Sequence, residues 1–223
     1  APITLRPPRP PRIEPALRDR LLDPRAPRRP PADPPRPVRL AAVPRAAFCQ
    51  RLAQDGGRLW WQSLQQTGVE AVIALTPNET LPAQVTEIAA GFGIAWVGPD
   101  DAAQTPPPAH ARIGRIQAGR VQSFADARAN ALDGADLLVC FDALDDRDLA
   151  VLCTRAAENR VFLAAAGERF AAVIDPDGRV LAQTGQAGRG EAVAEIDLAA
   201  AGDKRCAPRT DVFDQRRIEL FRF

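Results

Sequence analysis

The 223-residue sequence contains no Met and no Tyr, a single His (His110) and a single Lys (Lys204) among its 29 basic residues. Such a bias follows from a GC-rich genome and names no function. Its four cysteines, Cys49, Cys140, Cys153 and Cys206, have no paired short spacing, which argues against a zinc knuckle or an iron–sulfur site. Cys140 and Cys153 stand in apolar runs and are expected to be buried small hydrophobes. No apolar run approaches the ~18–20 residues of a membrane span. The N-terminus lacks the hydrophobic core of a signal peptide, which leaves the cytoplasm as the expected compartment. The missing initiator Met is expected of a chain that was processed or is shown without its start. His110, in a Pro-rich loop with no nearby acid to orient it, reads as a surface residue rather than a base. Gly188-Arg189-Gly190 reads as a turn, and no Gly-rich phosphate cradle follows a strand. No metal and no cofactor is expected.

What is present divides the chain in three. Residues 1–37 hold 13 prolines and no aromatic residue. Proline removes amide donors and fixes φ, so this stretch reads as an extended, polyproline-like arm. Residues 1–39 carry ten Arg and four acids, a net +6, and the rest of the chain is net −5. An acidic domain thus bears a basic arm. Arginines suit phosphates, but an arm without aromatics offers no stacking platform, which argues against nucleic acid. A partner protein fits better, since Pro limits the entropy lost on docking.

Residues 38–198 read as one α/β domain and 199–223 as a C-terminal interaction tail. Strands are predicted over 38–43, 69–75, 93–97, 113–117, 136–141, 161–166 and 191–196. Helices are predicted over 46–67 (interrupted at Gly56-Gly57), 80–90, 122–132 and 147–159. A hairpin joins 170–174 to 179–182 across Asp175-Pro176-Asp177-Gly178. Leu52, Leu59, Trp60 and Leu64 are expected near one helix face. Adjacent Trp60 and Trp61 cannot share a helix face, so one is expected in the core and the other at an interface. This alternation argues for a layered α/β fold.

Several segments carry a resemblance: Ile113-Gly114, GADLL (134–138), RAAENRVFLAAA (155–166), VIDPDGRVLAQ (173–183) and EAVAEIDL (191–198). Together they resemble the carbon–nitrogen hydrolase (nitrilase) superfamily, strongly over residues 113–198 and loosely before. The resemblance implies a four-layer α-β-β-α sandwich with an extended N-terminal arm and a C-terminal tail that packs on a neighbouring subunit. It also implies a nucleophilic Cys, a general-base Glu and a Lys that stabilises the tetrahedral intermediate. Counted from Gly134, the Cys position holds Ala118. The Glu position holds Asn78, with Glu79 one residue late. The interval that should supply the Lys is reduced to residues 98–112, which contain none. The family's strand-end Asn matches Gly167, the Ser ahead of its turn matches Ala171, and its helix-end Glu matches Glu158. That Glu is read as structural, a paired acid holding helix to strand.

These losses lead to an expectation of a pseudoenzyme with no catalytic residues. It would serve as a structural or accessory subunit that contacts other proteins through residues 1–37 and 199–223, or as part of a nitrilase-type homo- or heterodimer. Two alternatives stand beside it. Cys140-Phe141-Asp142 resembles the family's Cys-aromatic-Asp run and would give a divergent amidase using Cys140 and Glu79. That reading compresses the spacing to Arg155–Asn159 and supplies no lysine. The other alternative is a small-molecule-binding domain that reuses an emptied pocket.

Overall fold

A computed structural model describes residues 37–76, 82–99, 112–116, 124–141, 146–185, 189–208 and 210–213. In chain order the elements are β1 (Pro37–Val43), α1 (Arg45–Leu52), α2 (Arg58–Gln66), β2 (Ala71–Ala74), α3 (Pro82–Gly91), β3 (Ala95–Val97), β4 (Ile113–Ile116) and α4 (Phe124–Leu132). Then follow β5 (Leu137–Cys140), α5 (Leu149–Asn159), β6 (Phe162–Ala166), β7 (Ala171–Ile174), β8 (Val180–Gln183) and β9 (Ala192–Asp197). A short hairpin of β10 (Arg205–Ala207) and β11 (Thr210–Asp211) ends the described chain.

One sheet runs β3-β2-β1-β9 and the other β4-β5-β6-β7-β8. β1, β2 and β3 are mutually parallel, as are β4, β5 and β6, while β9 and the β7–β8 hairpin pair antiparallel. The period-2 alternation of each strand sorts its side chains into separate layers. Leu40, Ala42 and Ile73 of the first sheet meet Val139, Phe162 and Val173 of the second in a core between the sheets. The other faces carry helices. Ala41, Val43 and Val72 pack under α1, α2 and α3, and Leu138, Leu163 and Ala172 pack under α4 and α5. This is the α-β-β-α sandwich that the resemblance implies.

Three expectations need correction. Leu59 is 75% exposed, because Gly57 in the left-handed region (φ 75°) resets the helical phase between α1 and α2. The buried stripe of α2 is Trp60, Trp61 and Leu64. Neither Trp lies at an interface surface: Trp60 is 7% and Trp61 0% exposed. Their rings are 4.8 Å apart and both meet Phe48 of α1, at 5.8 and 6.3 Å. A second helix covers the side of α2 that would otherwise face water, and Trp60 Nε1 donates to Glu191 at 3.4 Å. Glu158 does not tie helix to strand. Its carboxylate accepts from Arg155 of the same helix at 2.7 Å, an i,i+3 pair.

Candidate functional site

Parallel strands place their carboxyl ends at one edge of a sheet, and ligands of open α/β sheets gather there. In this sandwich the two sets of parallel strands end on the same side. Arg45, just past β1, donates its backbone N–H to Gly167 O just past β6 at 2.9 Å, and Ala46 N–H donates to Glu168 O at 3.0 Å. The Arg45 guanidinium adds an ion pair to Glu168 at 2.9 Å. With side chains 39% and 53% exposed, that pair adds little beyond the two backbone bonds. A further tie crosses from β4 to the first sheet: Arg115 Nε donates to Gly98 O, just past β3, at 3.4 Å. The carboxyl edges of the two sheets are thus stitched together by backbone acceptors and two arginines. The sequence reading named neither arginine. Arg115 is visible in the alternation of β4, since its neighbours Gly114 and Ile116 face the helices, whereas the Arg45 pairing joins residues 123 apart.

The positions that the resemblance sets against the family's reacting groups follow these strand ends in the sequence. Asn78 and Glu79 come after β2, residues 98–112 after β3, and Ala118 after β4. Asn78, Glu79, Ala118 and His110 lie outside the described residues. Gly167 and Ala171, which the sequence resemblance sets against two further polar positions, do lie within them. Gly167 N–H donates to Phe170 O at 2.8 Å in the turn between β6 and β7, and Ala171 N–H is taken by Thr184 Oγ1 at 3.0 Å.

Cys140 closes β5 with no exposure to solvent. It belongs to the layer under α4 and α5, with Leu138, Leu152 and Leu163, while Val139 and Phe141 take the inter-sheet side. None of the four cysteines forms a disulfide. Cys153 is half-buried rather than buried. Burial pushes the thiols of Cys49 and Cys153 above their ordinary value, so neither supplies the thiolate that nucleophilic attack needs at neutral pH. Among the described residues, no group of three or more His, Cys, Asp and Glu is placed to hold a metal ion, and no helix is long and apolar enough to cross a membrane.

Lys204 sits at the other end of the molecule. Its ammonium donates to Asn159 O at 3.2 Å and Arg160 O at 2.8 Å, the chain leading into the amino end of β6. Strands of four to five residues separate that end from the carboxyl edge, a distance of roughly 10 Å or more. The only lysine in the chain is therefore committed to a helix terminus.

Comparison with known proteins agrees with this architecture. Residues 122–205 match the family model for carbon-nitrogen hydrolases. No curated protein sequence matches the chain. Among solved structures, a cysteine-to-alanine mutant of the Nesterenkonia AN1 amidase from the nitrilase superfamily is similar with a TM-score of 0.61 at 18% identity, covering 83% of this chain and 96% of that one. The C. elegans NitFhit protein gives 0.60 at 17%, over 82% and 66% of the two chains. Saccharomyces cerevisiae Nit3, a member of branch 10 of the nitrilase superfamily, gives 0.55 at 14%, over 74% and 92%. Another Nesterenkonia amidase structure carries the acetamide moiety of fluoroacetamide on its active-site cysteine. Residues 122–205 thus carry the likeness to carbon-nitrogen hydrolases, and the chain as a whole shares the four-layer fold of these nitrilase-superfamily structures.

Proposed function

We propose that the chain keeps the nitrilase scaffold without its hydrolytic chemistry and serves as a structural or accessory subunit of a larger protein complex. The observation that carries this reading is Ala118 at the position of the nucleophile: a methyl group has no lone pair with which to attack a carbonyl or nitrile carbon. Two further features support it. Asn78, an amide that takes no proton at neutral pH, stands where the general base belongs, and Lys204 is occupied at a helix end.

The alternative nucleophile, Cys140, would have to act from a sealed layer beneath two helices, on the opposite face of β5 from the inter-sheet core. Residues 1–37 and 199–223 would supply the contacts to partner subunits, and a nitrilase-type dimer is compatible with the same surface. The test is ammonia release from short aliphatic and aromatic amides and nitriles by the purified full chain and by Cys140→Ala. The expected result is no turnover above background for either. Turnover by the native chain that disappears in Cys140→Ala would contradict the reading and restore a divergent hydrolase.

A further inference from the structure

Among the described residues β3 ends one sheet and β4 ends the other, so on this side the core between the sheets is closed by side chains rather than by a further strand. Facing sheets stand about 10 Å apart, and the inward residues of β3, Ala95 and Val97, are small. Arg115 of β4 stands opposite Val139 of β5, which belongs to the core between the sheets. Ile113, two residues earlier, packs on that same core, whereas Ile116 lies under the helices. Asn130 of α4 holds the strand in this orientation, its Nδ2 donating to Arg115 O at 2.8 Å. The pleat therefore sends the half-buried Arg115 side chain into the layer between the sheets.

Its acceptor is fixed from the other side. Gly98, buried just past β3, accepts from Arg115 Nε at 3.4 Å. A Cβ on Gly98 would fall 2.4 Å from Cη2 and 2.5 Å from Cζ2 of Trp96. Trp96 is itself buried among the residues under the helices, which leaves its ring no room to retreat. Only glycine fits there, and the Trp96 ring sets the place of the backbone whose carbonyl Arg115 meets. The gap between the ends of β3 and β4 is thus spanned from β4, by the apolar stem and the guanidinium of one arginine.

We propose that Arg115 is a built-in bolt: its guanidinium fills the gap between the sheets at the carboxyl ends of β3 and β4 and keeps small molecules out of it. The proposal rests on reading the carboxyl edges as the emptied pocket of the fold. Ligands of open α/β sheets gather at such strand ends. The stretch that the resemblance sets against the family's lysine leaves from the end of β3, and the one set against its cysteine leaves from the end of β4. An amide or nitrile entering here would have to part Arg115 from a backbone acceptor and leave a charged group in a half-buried site without that bond. The bolt also separates two uses of the scaffold. A binding domain needs this gap empty, whereas an accessory subunit needs it rigid, and Arg115 ties sheet to sheet across it.

Chemical rescue tests the proposal. Arg115→Ala removes the bolt and leaves a cavity with the shape of a guanidinium on a short stem. Methylguanidinium, at millimolar concentrations far below denaturing ones, is expected to raise the melting temperature of Arg115→Ala in a saturable way, as binding to the folded state alone requires. It is expected to leave the native chain unchanged. Methylammonium, which carries the same charge without the planar fork, is expected to act on neither. If Arg115→Ala folds only with methylguanidinium present, the refolding yield reports the same rescue. Arg115→Met, which keeps the stem and loses the fork, is the second variant, with unsubstituted guanidinium as its probe. Absence of a saturable response in both variants overturns the proposal, and so does an equal response in the native chain. A failed rescue leaves the absence of turnover untouched, whereas ammonia release by the native chain contradicts the function proposed above whatever the rescue gives.

Discussion

Cys140 shows how burial decides what a residue can do. Its place at the end of a strand and next to Phe141 makes it look like a nucleophile in the sequence, but the pleat turns its thiol toward α4 and α5, among Leu138, Leu152 and Leu163. There it acts as a small hydrophobe. Replacing Cys140 by Ala removes one heavy atom from a packed layer and is expected to cost about 1 kcal/mol, seen as a lower urea midpoint with an unchanged denaturant slope. A larger loss, or a changed slope, would indicate a role beyond packing. The same residue-scale logic applies to Lys204. Sequence distance separates it from residues 98–112, where the resemblance expects a lysine, but nothing in the sequence shows what it does instead, because its acceptors are carbonyls of residues 44 and 45 positions away.

Elements explain two of the segments that carry the family resemblance. Gly114, within β4, has α4 directly over it. A Cβ there would stand 2.7 Å from Asn130 Cβ, 2.9 Å from Leu138 Cδ2 and 3.0 Å from Ala135 Cβ. Gly178 closes the β7–β8 turn at φ +81°, where a Cβ would come within 2.8 Å of Cys153 O on α5. Gly114→Ala is expected to destabilise by about 1–3 kcal/mol through overpacking. Gly178→Ala is expected to cost about 2 kcal/mol or more, because backbone strain adds to the contact. Equilibrium unfolding of both variants checks this, and a neutral Gly114→Ala would mean that α4 packs less closely than described.

Strand and helix positions were legible to within a few residues because apolar periodicity and the Asp-Pro-Asp-Gly turn are local signals. The aromatic cluster was not. Burial of both Trp60 and Trp61 depends on α1 folding back across α2, and the exposure of Leu59 on a phase break at Gly57. The Arg45–Glu168 tie was equally hidden, since it joins the ends of strands in different sheets. The partner of Glu158 was available locally, as Arg155 stands three residues earlier, but the family's pattern pointed to a longer reach.

At the scale of the whole molecule, the chain builds the sandwich in full, and we propose that it has lost the groups that would react in it. The layers are filled, the parallel strands end on one side, and backbone bonds join their carboxyl edges. In the proposed reading, Ala118 and Asn78 take the places where the family resemblance expects a thiol and an acid. The proposed reading gives a scaffold kept without its chemistry another use, the binding of other subunits through the Pro/Arg arm and the C-terminal tail. Native mass spectrometry of the untagged protein, purified gently from its own cells, tests this most directly. The account predicts recovery with other proteins at a fixed stoichiometry, whereas recovery only as a free monomer or homo-oligomer would contradict it.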